Sequence, residues 1–201
     1  MALKHSYTLL APLYDRAVRG PLYNVRRKSL SRLKNVADKD VLLNGIGTGL
    51  DLEHLPRGAR YTGSDITPLM LKRAQQRANE TGIDIKLECA DSHNLPFASE
   101  SFDIIIMHLI LAVVPNPERA LQEADRVLRN NGSIYILDKF LRPGQLAPIR
   151  RGLNTVLRHV ATRTDVVFED VLSTSSNLHV VSDEPALAGG WFRLIELVKR
   201  A

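Results

Sequence analysis

Three glycines at alternate positions, Gly45, Gly47 and Gly49, follow directly on the apolar run Val41-Leu42-Leu43-Asn44. No other stretch restricts the fold as much. The pattern predicts a buried strand ending in a tight turn, where the chain needs backbone conformations that a Cβ disfavours and where a ligand can approach closely. A helix is expected to begin there, and its first amides, unpaired within the helix, can bind an anionic group. Asp65, twenty positions after Gly45, falls at the end of the next predicted strand, where a carboxylate can accept hydrogen bonds from ribose hydroxyls. A phosphate-binding P-loop would continue with Gly-Lys-Ser/Thr, but Leu50 and Asp51 follow Gly49. A dinucleotide turn would carry its third glycine at position 50, which is leucine.

Around this turn the chain reads as strands alternating with helices. Residues 6–35 have apolar residues at helical spacing, broken near Gly20-Pro21, with Leu22, Val25, Ser29 and Leu33 forming the second half's stripe. Strands are predicted at Val41–Asn44, Tyr61–Ser64, Ile83–Glu88, Ile104–Met107 and Ser133–Leu137. A short helix is expected over 51–55, stopped by Pro56. Another starts at Thr67-Pro68, with the threonine hydroxyl as N-cap, and ends at Gly82. A third spans Glu118–Leu128, and Asn130-Asn131-Gly132 turns into the fifth strand. A basic amphipathic insertion over 145–162 and a short helix at Val166–Leu172 precede two last strands, Leu178–Val181 and Phe192–Val198. The loop between those strands, with Pro185 and Gly189-Gly190, is too short for a helical crossover, so they are expected to be antiparallel. The fold class is therefore α/β, a doubly wound and mostly parallel sheet.

Two hundred and one residues suit one domain. Charge is uneven along the chain. Residues 1–39 carry nine Lys/Arg against two acids, and residues 139–163 carry six Lys/Arg and no acid, so the rest is acidic within a net charge of +5. Such segments are either solvated faces or attractors of an anionic surface. The lone cysteine, Cys89, excludes an intramolecular disulfide and makes a cytoplasmic setting the default. The six histidines are scattered without an i, i+4 ligand pair, so no metal site is expected.

Several segments together resemble the class I S-adenosylmethionine-dependent methyltransferases. Gly-x-Gly-x-Gly at 45–49 is similar to motif I of that superfamily, and Gly63-Ser64-Asp65-Ile66-Thr67-Pro68-Leu69-Met70-Leu71 to its ribose-acid segment. Asp91-Ser92 with Leu95-Pro96-Phe97 and Ser101-Phe102-Asp103 resembles the stretch that holds the adenine, and Val127-Leu128-Arg129 with Gly132 a family turn. Tyr7, Ala11-Pro12 and Tyr14-Asp15 resemble an N-terminal signature found in small methyltransferases. The whole is most similar to small bacterial phosphatidylethanolamine N-methyltransferases and their relatives acting on lipophilic substrates and thiols. The resemblance implies a Rossmann-like, seven-stranded, mostly parallel sheet with an antiparallel last strand and an N-terminal helical cap. The single domain, 1–201, would divide into a basic cap (1–40), a cofactor-binding core (41–138), a basic insertion (139–165) and a C-terminal helix with a strand hairpin (166–201).

The resemblance implies S-adenosyl-L-methionine as cofactor. Gly45, Ile46, Gly47, Thr48 and Gly49 would lie against its methionyl part, and Asp65 would take the ribose hydroxyls. Ile66 and Met70 would flank the adenine, with Asp91 on its amine and Ser92 on its ring. His108 is either a general base, its ordinary pKa being near neutrality, or a residue that orders its loop and covers the cofactor. Tyr14 would close over cofactor and substrate, or anchor the core. Arg26, Arg27, Lys28, Lys139, Arg150 and Arg151 are expected on a substrate or membrane surface. One departure stands out: the family usually has an acid two places before the first glycine, for the cofactor's amino group, and this chain has Leu43. Asp51 could compensate, or serve only as a helix-start charge.

The expected activity is methyl transfer to a lipid, with phosphatidylethanolamine in view, or to another lipophilic small molecule. A soluble small-molecule or thiol methyltransferase and a non-catalytic cofactor-binding regulator stand beside it. Peripheral contact with an anionic membrane, at its inner face, goes with the first. No nucleic-acid partner is expected, because no basic platform interleaved with aromatics is present. The sequence does not speak to oligomeric state.

Overall fold

Side-chain alternation along the strands sends successive residues to opposite faces of a sheet, and this chain carries apolar residues at both parities. A computed structural model describes residues 20, 22–142, 144 and 165–200. Tyr14, Arg150 and Arg151 lie outside the described residues, as do half of the cap and most of the insertion. Seven strands, β1 (Asp40–Asn44), β2 (Arg60–Asp65), β3 (Ile85–Cys89), β4 (Phe102–His108), β5 (Leu128–Lys139), β6 (Leu178–Leu187) and β7 (Phe192–Lys199), form one sheet in the order β3-β2-β1-β4-β5-β7-β6. The first five are mutually parallel, and β7 runs antiparallel to both β5 and β6. This is the architecture that the sequence led us to expect.

Helices cover both faces. On one, Val41, Leu43, Ile104 and Ile106 pack with Leu30 and Leu33, from α1 (22–30) and the turn after it, and with Ala74 and Ala78 of α2 (Pro68–Thr81). On the other, Leu42, Ile105 and Met107 pack with Ala120, Leu121 and Ala124 of α3 (Pro117–Val127) and with Phe168 and Val171 of α4 (Phe168–Leu172). Gly82 closes α2 in the left-handed region, as expected from a glycine C-cap.

Several local expectations change. The Thr67 hydroxyl makes no capping bond; the Asp65 carboxylate accepts the Thr67 amide instead, at 2.8 Å. The helix predicted over 51–55 is a single 3-10 turn, Leu52–His54, ended by Pro56. Asn130-Asn131-Gly132 is not a separate turn but a bulge inside β5: Phe102 pairs with Leu128, and Ile104 with Ser133. Asn131 takes a positive φ of 63° there. β6 runs on through Pro185, which a strand tolerates at a sheet edge, and its register shifts near that residue.

Candidate active site

The carboxyl ends of β1, β2 and β4 surround a cleft of about 410 Å³, within the usual range for small-molecule sites. It opens where ligands bind in open parallel sheets. Gly45, Ile46, Gly47, Thr48, Asp65 and Ile66 line it, together with Met70, Asp91, Ser92 and His108. The structure thus brings together every expected cofactor residue except Gly49, which faces α2.

The turn works differently from the expectation. The Gly45 and Ile46 amides both donate to the Ser64 carbonyl, Gly47 donates to Asp65 Oδ2 at 3.0 Å, and Gly49 donates to the Ile46 carbonyl. Those four amides are spent within the protein, and the one-turn helix that follows supplies no macrodipole of consequence. The glycines therefore give shape rather than anion binding: a Cβ at Gly47 would meet nothing within 4 Å. Asp65 takes one amide on each oxygen, from Gly47 and Thr67, and burial raises its carboxyl above the ordinary range, partly offset by those amides. Ile66 beside it is 45% exposed. An apolar side chain this open, at a cleft lip and next to buried Met70, offers a flat ring a place to lie.

Asp91 and Ser92 reach the cleft from the loop after β3. Asp91 Oδ1 accepts from the His93 amide at 2.9 Å and lies 2.7 Å from His93 Nδ1. His93 Nε2 in turn accepts the Asn116 amide at the start of α3. The Ser92 hydroxyl donates to Asn44 Oδ1 at 2.7 Å, tying this loop to the end of β1.

A buried polar cluster, unforeseen in the sequence, joins α1 to this cleft. Arg26 Nη1 donates to Asp51 Oδ1 at 2.7 Å, and His108 Nδ1 lies 2.9 Å from the same oxygen. Ser29 Oγ lies 3.0 Å from His108 Nε2. An ionised carboxylate can only accept, so Nδ1 carries the proton. Although Asp51 is almost fully buried, the Arg26 guanidinium and the His108 ring together outweigh that burial and hold its carboxyl well below the usual range. Arg26 is only 7% exposed, so it does not belong to a membrane or substrate surface: the helix turns it inward to meet a buried charge. Arg27 and Lys28, on the opposite side, are exposed, and Lys28 Nζ donates to Glu184 Oε2 at 2.9 Å. Lys139 ends β5 half-buried and outside the cleft wall, with burial lowering its pKa. No local pattern announces the Arg26–Asp51 pair, because its members stand 25 residues apart.

The loop after β4 also lines the cleft. Leu109, a leucine at φ 59°, costs about 1–2 kcal/mol in that conformation. It is held by the hydrogen bond that its amide donates to the Leu137 carbonyl at 2.7 Å. Fully buried Asp138, at the end of β5, accepts the Ala112 amide at 3.0 Å on Oδ2. The result is an apolar stretch of the cleft lining, Leu109, Ile110, Val113, Val114 and Pro115, with Ile110 packed against Gly45. Burial pushes the Asp138 carboxyl up to about 6, against the amides that it accepts. A raised acid favours the fold in its protonated form. That contribution is complete below about pH 4 and is lost as pH rises through 6, on the order of 3 kcal/mol. The Asp138 carboxyl carbon should titrate by NMR with a midpoint near pH 6, and the Ala112 amide should move with it. A midpoint near 4 would contradict a buried, desolvated carboxyl.

Comparison with known proteins gives a consistent picture. Residues 42–136 match the profile of a family described as "Methyltransferase domain". The chain is 31% identical to a phosphatidylethanolamine N-methyltransferase of Cereibacter sphaeroides over 202 residues, spanning 99% of this chain and 98% of that protein. Among solved structures, the [4+2]-cyclase SpnF superposes with a TM-score of 0.78 at 16% identity, covering 98% of this chain and 95% of its own. A geranyl diphosphate C-methyltransferase from Streptomyces coelicolor A3(2), solved with S-adenosyl-L-homocysteine, gives 0.71 at 14% identity, covering 88% of this chain and 78% of its own. A cyclase and a methyltransferase share this fold, so the fold alone does not choose the reaction.

Proposed function

The chain belongs to the S-adenosylmethionine-dependent methyltransferases of class I, and from that we propose that it methylates a lipid or another lipophilic small molecule at an anionic membrane surface. S-adenosylmethionine is its cofactor, and the cleft fits it. The space beside Gly47 is open, the Asp65 carboxylate stands at the strand end to receive ribose hydroxyls, and exposed Ile66 with Met70 offers an apolar bed for the base. When bound, the cofactor supplies a methyl group already activated on a sulfonium. The protein's remaining work is to hold an acceptor in line and to keep water out.

The observation that carries the lipophilic acceptor is the set of apolar side chains, Leu109, Ile110, Val113, Val114 and Pro115, that the loop after β4 brings to the cleft. The relative named phosphatidylethanolamine N-methyltransferase, alike over nearly the whole chain, supports a phospholipid amine. Beside the cleft, α1 turns Tyr23 and Arg27 outward, a face suited to anionic headgroups. Among the described residues no helix is long and apolar enough to cross a membrane, so contact through this face would be peripheral. An amine acceptor must lose a proton before attack. Both ring nitrogens of His108 are engaged, Nδ1 by Asp51 and Nε2 by Ser29, so we assign His108 the role of positioning the end of β4.

Transfer of labelled methyl to phosphatidylethanolamine in mixed anionic vesicles is the expected result. Transfer only to soluble amines or thiols would overturn the lipid acceptor. In flotation at low salt the protein should prefer anionic over neutral vesicles. At about 1 kcal/mol per basic residue, Arg27→Gln should weaken that binding about fivefold. Equal flotation with neutral and anionic vesicles would remove the membrane from the account.

A further inference from the structure

The amino-acid end of the cofactor carries an ammonium and a carboxylate, and β1 ends without an acid to meet the first. Leu43 is buried in the core, and Asn44 offers an amide whose oxygen already takes Ser92 and Ser64. Three carboxylates line the cleft: Asp51, Asp65 and Asp91. Asp65 accepts one amide on each oxygen, from Gly47 and Thr67, and lies where the ribose is expected, so its remaining acceptor capacity goes to the sugar. Asp91 is tied to His93, on the loop after β3.

Asp51 differs from both. Its two bonds, from Arg26 and His108, fall on the same oxygen, Oδ1. Oδ2 has no partner among the described residues, yet it is not sealed off as a buried orphan, and the residue forms part of the cleft wall. Arg26 lines the same wall from α1, and its Nε is buried without a partner among the described residues. An ion pair with an open oxygen on one member and unspent donor capacity on the other presents both signs of charge side by side. That is the complement of a zwitterion, and it lies just past the glycine turn.

We propose that the Arg26–Asp51 pair is the receptor for the cofactor's amino-acid zwitterion, with Asp51 Oδ2 taking the ammonium in place of the acid absent at position 43 and the Arg26 guanidinium facing the carboxylate. His108 and Ser29 hold Asp51 in register. The pair joins the basic helix to the cofactor cleft, so the site is complete only when α1 is docked. The inference rests on the cofactor assignment and is independent of the methyl acceptor.

Calorimetry separates it from that assignment. The ligands are S-adenosylhomocysteine, its deaminated analogue, and methylthioadenosine, which lacks the amino-acid end altogether. Wild-type protein should bind S-adenosylhomocysteine about 10- to 100-fold more tightly than the deaminated analogue, the worth of one charge-assisted contact. In Asp51→Asn that preference should fall to within about twofold, while affinity for methylthioadenosine stays unchanged. Arg26→Met/Asp51→Leu, which leaves no unpaired buried charge, should also lose the preference, so the outcome does not hinge on one variant's folding. Wild-type preference retained in both variants would overturn the proposal and leave the cofactor assignment intact. Failure of the wild-type protein to bind any of the three would overturn both.

Discussion

Arg26→Met should lower the melting temperature by about 10 °C, more than Arg26→Met/Asp51→Leu does. In the wild-type protein the two charges are removed from water together and meet at 2.7 Å. Taking away the guanidinium leaves the Asp51 carboxylate buried, with only His108 to balance it. Breaking such a pair from one side costs about 3–5 kcal/mol, whereas replacing both members by apolar residues removes the desolvation penalty along with the attraction. What the double variant keeps is the His108 Nδ1–H without its acceptor, about 1–3 kcal/mol. At about 2–4 °C per kcal/mol for a chain of this size, circular dichroism resolves the difference. Equal losses in the two variants would mean that α1 is held by its apolar stripe, Leu22, Val25 and Leu30, and not by the pair.

The second large effect distinguishes two glycines of one motif. Gly49 has φ +80°, and a Cβ there would lie 3.2 Å from the Ala74 Cα and 2.8 Å from Leu52 Cδ1. The leucine tip can move; the backbone of α2 at Ala74 cannot, since it is packed with no exposure. Gly49→Ala should therefore cost the left-handed penalty of about 1–2 kcal/mol plus about 1–3 kcal/mol of overpacking. Gly47, at φ +56°, has open space where its Cβ would go. Gly47→Ala should cost only the backbone penalty, yet put a methyl group into the cofactor's volume. We expect Gly47→Ala to melt within a few degrees of wild type while losing at least about tenfold in affinity for S-adenosylhomocysteine. Gly49→Ala should show the reverse order of severity. If the two variants fell together in both measurements, the motif would be a simple turn without a division of labour.

Much of the site was legible because motif residues near in sequence have local geometric jobs. Alternate glycines after an apolar run gave away the strand end, and the spacing to Asp65 gave away the neighbouring strand, because parallel β1 and β2 place Asn44 beside Ser64. Strand periodicity and turn chemistry likewise located most elements. The helix at 51–55 failed because Pro56 leaves room for one turn only. The turn at 130–132 failed because a bulge and a turn draw on the same Asn-Asn-Gly chemistry. The sequence leaves Asp51 open between a compensating acid and a helix-start charge, because its partner, Arg26, lies on another element.

The sequence by itself determined the sheet, its order of strands and helices, and the carboxylate at the end of β2, since these follow from periodicity and from what each residue permits its own backbone. Only the tertiary structure decided that Arg26 faces inward, that His108 is held at both nitrogens, and that the loop after β4 brings apolar side chains to the cleft. Those features depend on distances between segments far apart along the chain. Such distances are set by how α1 and the ends of β4 and β5 pack, and no local run of residues records them.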